Sequence, residues 1–155
     1  MAVALALGLM VGGGSAAFVT GKGLSYASDD PQACINCHIM QSNYDGWMHG
    51  AHGRVATCND CHVPHDSVVS KYAVKAEHGA RHSYKFTFDD FHEPLAMNEP
   101  SRVVVVNNCV RCHEQLTDQM SQVEGAPGAR GVHGLEAGAA DCLHCHARVG
   151  HGGRK

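Results

Sequence analysis

Four pentapeptides carry the chemistry this chain can perform: Cys34-Ile35-Asn36-Cys37-His38, Cys58-Asn59-Asp60-Cys61-His62, Cys109-Val110-Arg111-Cys112-His113 and Cys142-Leu143-His144-Cys145-His146. Together they use all eight cysteines. A bare C-x-x-C fits a redox disulfide or half of a zinc site. With His next in line, it is the attachment signature of a c-type haem. The spacing has a mechanical basis. Residues i and i+3 share a face of a helical turn, so Cys34 and Cys37, Cys58 and Cys61, Cys109 and Cys112, and Cys142 and Cys145 can each grip one porphyrin edge by two thioethers. The following imidazole is then presented to the iron. Four copies with no cysteine left over predict a tetrahaem cytochrome c.

These turns need elements to position them, and the chain has little to spare. Beyond an apolar N-terminus, about 130 residues remain, enough for one modest domain. Shared among four haems, they cannot build a conventional core, so the macrocycles must supply much of the buried apolar surface. The expected fold is mainly α with much irregular structure and little or no sheet. One N-terminal transmembrane helix (1–24) precedes a small tetrahaem cytochrome c domain (25–155). A formal net charge of −3 offers no argument for nucleic acid as a partner.

Met1 to Thr20 contains no charged residue, and the first charge is Lys22. Twenty helical residues span about 30 Å, the thickness of a bilayer's hydrocarbon core. No basic residue precedes the apolar run, as a cleaved signal peptide would require. A retained single-pass anchor is therefore expected. The Gly12-Gly13-Gly14 run could mark a contact with another membrane helix. Covalent haem is assembled outside the cytoplasmic membrane in bacteria, which places the haem domain on the periplasmic side of the inner membrane.

Downstream, Asp30-Pro31 predicts an N-cap and first helical residue for a short helix bearing the first motif. Residues 67–83 have helical character, capped by Asp66 or Ser67. Lys71, Lys75, His78 and His82 fall on one stripe of that helix, a pattern that is also that of an ordinary solvated face. Lys85 to Pro94 is aromatic and acidic. Residues 101–122 are expected to be helical, although the Val103–Val106 run has strand propensity. Residues 125–140, rich in Gly and Ala, are expected to be a loop. The motif starts at 34, 58, 109 and 142 suggest two di-haem halves.

The motifs name four proximal histidines. Distal ligands must come from Met, from another subunit, or from His49, His52, His65, His78, His82, His92, His133, His144 and His151.

The sequence resembles the NapC/NirT family of membrane-anchored multihaem quinol dehydrogenases, and within it the NrfH-type branch of small tetrahaem nitrite reductase subunits. The resemblance is carried by the single anchor, Cys34-x-x-Cys37-His38-Ile39-Met40, the segment His52 to Cys58, and Cys58-Asn59-Asp60-Cys61-His62-Val63-Pro64-His65. Lys75, Gly79-Ala80-Arg81 and the last motif followed by His151 complete it. It implies that Met40 ligates the first haem in place of His38, that His52 lies opposite His146 and that His151 lies opposite His113. The second haem, held by His62, would take its sixth ligand from a partner subunit. Lys75 would line a quinol site beside the first haem. His82 stands where the family can carry an acidic residue, which leaves open whether it binds iron, accepts a proton or only packs. The resemblance further implies membrane lipid and the quinol pool as surroundings, menaquinol as electron donor and a pentahaem cytochrome c nitrite reductase as acceptor.

Quinol oxidation releases two protons with two electrons, so it needs proton acceptors beside a haem edge. His82 is the residue type suited to accept one near neutral pH, and Asp89 or Asp90 could relay it outward; both acids also fit a solvated loop. Two other functions compete. One is a passive membrane-tethered electron wire, which would need neither Met40 nor Lys75. The other is reduction of a small molecule at an open haem, for which the chain lacks a C-x-x-C-K motif.

Overall fold

Uncharged and free of proline, the N-terminus forms α1 (Ala2–Thr20), with a mean hydropathy of 2.0 and no residue buried against the rest of the chain. In this computed structural model, which describes residues 1–121 and 142–152, it is the single helix long and apolar enough to cross a membrane among the described residues. Among the described residues, nothing beyond the helix's own backbone packs within 4 Å of Cβ positions built on Gly12, Gly13 or Gly14. A 3₁₀ turn over Gly23–Ala27 follows.

The first motif lies on a second 3₁₀ turn, Pro31–Asn36. As expected, the Asp30 side chain caps it by accepting from Gln32 N at 2.9 Å, with Pro31 at the first position. A third 3₁₀ turn, His38–Met40, leads into α2 (Gln41–Met48). The second motif forms α3 (Cys58–His62), whose start is held by Asp60: its Oδ2 accepts from both Thr57 N and Thr57 Oγ1 at 2.7 Å. The connector helix is α4 (Val68–Thr87), capped by Ser67, whose hydroxyl accepts from Ser70 N at 3.0 Å. It runs four residues past the expected end at Ser83.

The valine run does not form a strand. Asn98 caps α5 (Glu99–Cys112), Pro100 sits in its first turn, and Val105 and Val106 are buried. Here a good cap and an apolar neighbour outweigh intrinsic β propensity. The helix breaks at His113 before α6 (Glu114–Ser121), and the last motif forms α7 (Cys142–Cys145). Among the described residues there is no strand. The loop expected over 125–140, with His133, lies outside them.

Val63, Val105 and Val106 are the buried apolar side chains among the described residues. So thin a polypeptide core is the one expected where macrocycles supply the remaining apolar surface. What joins α3 to α5 is polar. Buried Asn108, just before Cys109, donates from Nδ2 to Cys61 O at 3.0 Å and to Val63 O at 2.8 Å. Arg111 Nη2 adds a contact to Asp60 O at 3.3 Å. The second and third motifs are therefore clamped together. Asn108→Ala leaves two carbonyls without this donor and should cost about 2 kcal/mol, read as a lower midpoint in thermal or urea unfolding of the haem-loaded protein.

Candidate functional site

The motif cysteines meet one another in sequence order. Cys34 hydrogen-bonds Cys58, Cys61 lies near Cys112, and Cys109 near Cys142. No disulfide joins any of the eight cysteines. No group of three or more His, Cys, Asp or Glu among the described residues is arranged to hold a bare metal ion. The geometry supports four attachment turns strung in the order first, second, third, fourth.

Two histidine pairs have the separation that haem ligation needs. The His52 and His113 ring centres are 6.1 Å apart, and those of His62 and His151 are 5.9 Å apart. Two imidazoles bound across one iron would put their centres roughly 6 Å apart, given metal–nitrogen bonds of about 2 Å. Both distal candidates are also oriented. His151 Nδ1 lies 2.9 Å from Asn43 O and His52 Nδ1 lies 3.4 Å from Val149 O. A ring that donates through Nδ1 leaves Nε2 with its lone pair for a metal. Burial lowers the His62 imidazole to about 4, with His151 and His78 adding to the effect, so it is held in the neutral, ligating form. These residues fit the haem.

The ring neighbours differ from those the resemblance implies. His52 lies beside His113 where His146 was expected, and His151 lies beside His62 where His113 was expected. The cause is local. After α7 the chain turns back over α2, so that a Cβ built on Gly46 would fall 1.8 Å from His151 O, and His151 is pinned to Asn43. His146 is exposed. Whichever iron each serves, His52→Ala and His151→Ala should each convert one low-spin haem of the four to high spin, countable by electron paramagnetic resonance. Unchanged spectra in both would exclude them as ligands.

At the first motif His38 is exposed, whereas Met40 is half-buried with its Sδ 3.9 Å from Asn43 Nδ2. Facing this region is the expected helix stripe, with Lys71 and His78 half-buried, Lys75 buried and His82 exposed. Lys75 is only 6% exposed. Its Nζ donates to Ser28 O and to Asp29 Oδ1, both at 2.8 Å. Lys71 pairs with the other carboxylate oxygen of Asp29, and Asn59 Nδ2 donates to Asp29 Oδ1 at 2.7 Å. These partners, Lys71 first, hold the Asp29 carboxyl far below the usual carboxylate range. A cleft of about 400 Å³ lined by Lys22, Ser25, Asp30 and Asn36 shares Ser28 with this cluster.

Further along α4, His82 Nδ1 is 3.1 Å from Tyr26 Oη, and its ring lies 5.8 Å from that of His78. Desolvation, then His78 and Arg81, lowers the His82 imidazole from its ordinary value. Burial raises the Tyr26 phenol. Asp89 stands at the end of α4, exposed and left-handed with φ 53°, while its neighbour Asp90 is the one that pairs with Lys85. Thus Lys75 and His82 are brought against the segment between anchor and first motif, and Asp89 is not joined to them by a hydrogen bond. Ser28, Asp29, Tyr26 and Asn59 were missed in the sequence, because nothing local marks them; the one available signal was the lysine pair on α4, which needs an anion.

The profile of the NapC/NirT cytochrome c family, N-terminal region, matches residues 1–155. The chain is 38% identical over 151 residues to cytochrome c-type protein NrfH of Wolinella succinogenes, covering 96% of this chain and 81% of that protein. It is 33% identical over 130 residues to the cytochrome c nitrite reductase subunit NrfH of Nitratidesulfovibrio vulgaris, covering 83% and 71%. Its fold is similar to a chain in the crystal structure of the cytochrome c nitrite reductase NrfHA complex bound to the HQNO inhibitor. The TM-score is 0.66, with 27% identity, covering 95% of this chain and 92% of that one. With four haem-attachment turns behind one membrane-length helix, the chain belongs to the NapC/NirT cytochrome c family as a membrane-anchored tetrahaem cytochrome.

Proposed function

We propose that this chain is the quinol-oxidising, membrane-anchored subunit of an ammonia-forming cytochrome c nitrite reductase. It takes electrons from menaquinol at the inner membrane and passes them, on the periplasmic side, to the pentahaem catalytic subunit. The names of its relatives support the nitrite reductase assignment. The observation that carries the quinol reading is the position of Lys75: buried, and held against Ser28 and Asp29 between the anchor and the first motif. An ammonium group has three donors, and these bonds take two, leaving one for a quinol oxygen.

The bound haems supply a series of one-electron acceptors. The residues around them do the rest. Lys75 orients the quinol oxygen. His82, held by Tyr26, accepts a proton, and Asp89 at the exposed end of the same helix hands it to water. Met40 would ligate the first haem, and His62, His113, His146, His52 and His151 would hold the others.

The test is anaerobic reduction of the purified holoprotein in detergent by a menaquinol analogue, followed in the Soret and α bands with and without HQNO. Reduction that HQNO blocks is expected. Full reduction by dithionite with none by quinol would overturn the reading and leave an electron wire with another donor.

A further inference from the structure

The contacts of α4 give it a direction relative to the membrane. Lys71 pairs with Asp29, Lys75 with Asp29 and Ser28, and a Cβ on Gly79 would lie 3.5 Å from the Tyr26 ring that also meets His82. As numbers rise along α4, its partners step back toward α1. Tyr26 is only six residues beyond the end of α1, in a 3₁₀ turn that rises about 2 Å per residue. From His82 the helix continues to Thr87, a further 7 Å or so at about 1.5 Å per residue, toward the level at which α1 leaves the bilayer.

What lies there is aromatic, exposed except for the half-buried Phe91, and ordered by its own contacts. Tyr84 and Phe88 are 59% and 66% exposed with ring centres 4.8 Å apart, and Phe86 meets Phe91 at 4.7 Å. Lys85 Nζ closes the turn by donating to Asp90 O at 2.7 Å and Asp90 Oδ2 at 3.0 Å. Tyr, with a polar tip on an apolar ring, favours the headgroup boundary of a bilayer, and Phe rings on the apolar face of an interfacial segment seat just beneath it. The charges in this segment, Lys85 against Asp89, Asp90 and Glu93, give no attraction to anionic lipid.

We infer that residues 84–91 are a second membrane contact, in which Tyr84, Phe86, Phe88 and Phe91 seat at the zwitterionic headgroup level of the leaflet from which α1 emerges. The inference rests on α1 as the membrane anchor and is independent of quinol oxidation. Continuity with α1 is what selects lipid as the occupant. The N-terminal end of α4 supplies an internal comparison, because Val68 and Val69 are apolar and 71% and 79% exposed yet lie at the far end of the helix.

The experiment uses the full holoprotein in phosphatidylcholine vesicles containing a phosphatidylcholine with a diazirine near its headgroup, followed by irradiation and peptide mapping. Adducts on α1 and on 84–91, at least several-fold above those on 68–72, are expected, insensitive to salt. Labelling of α1 with 84–91 no higher than 68–72 would overturn the inference. So would labelling of 84–91 that is abolished by adding soluble nitrite reductase, which would assign the surface to a protein. A Phe86→Ser/Phe88→Ser variant should keep the α1 adducts and its four haem bands while losing those on 84–91; retained adducts there would equally count against the aromatic contact.

Discussion

Lys75→Ala should slow reduction by menaquinol by about 10- to 100-fold while leaving haem content and dithionite reduction unchanged. The magnitude follows from removing one charge-assisted hydrogen bond to a ligand, worth about 1.5–3 kcal/mol, at roughly tenfold per 1.4 kcal/mol. Collapse of the site is not the expected cause, because Asp29 keeps Lys71 and Asn59 as partners when Lys75 is gone. Asp29→Asn is the companion variant. It retains Lys75 but weakens what orients it, so a smaller loss is expected, chiefly as a raised KM. The pH range of the cluster can be assigned. The Asp29 carboxyl is depressed in the folded chain, so its contribution is complete above the unfolded value of about 3.9 and is lost only as pH falls through the lower folded value. Between pH 5 and 8 the pairing is constant. Any pH dependence of quinol oxidation there belongs to other groups, with His82 foremost because its imidazole is lowered by desolvation, His78 and Arg81. If Lys75→Ala oxidises quinol at the parent rate, the Lys75 site is wrong whatever the relatives do.

How far the sequence could be read depended on whether an interaction was local. Asp30, Pro31 and Ser67 announced their helix starts because a cap acts on the next three residues. The four attachment turns were visible for the same reason. The stripe of Lys71, Lys75, His78 and His82 was visible as a face, but its meaning was not, since a solvated face has the same periodicity. Asp29 decides the matter from 42 and 46 residues away. Asn108 was equally silent: an Asn before a motif gives no sign that its amide will bridge Cys61 and Val63. The valine run left the start of its helix open because its intrinsic β propensity is local, whereas the burial of Val105 and Val106 is tertiary. Which histidine rings would become neighbours lay furthest out of reach, as His52 comes beside His113 and His62 beside His151 only after the chain has folded back on itself.

Met40→His should lower the potential of the first haem by about 0.1–0.2 V, within the roughly 0.8 V that axial ligands can span. A thioether favours the ferrous state more than an imidazole does. For one electron, each 59 mV is tenfold in the equilibrium constant, so the variant disfavours the first transfer from quinol by about 50-fold or more. The structure supports Met40 over His38 as the inward-facing group, since Met40 is half-buried against Asn43 while His38 faces solvent, although the motif puts His38 in the ordinary ligand position. Spectroscopy separates ligation from packing. If Met40 is the ligand, the near-infrared charge-transfer band of a thioether-bound ferric haem disappears in Met40→His, and His38→Ala leaves it intact. The opposite pattern, with the band absent from the parent protein and one low-spin haem lost in His38→Ala, would return the first iron to His38. The two variants also distinguish a tuned first acceptor from an ordinary link in a wire. A chain built only to conduct should tolerate an imidazole at this position, whereas one poised against quinol should lose turnover with quinol and keep its reactivity toward dithionite.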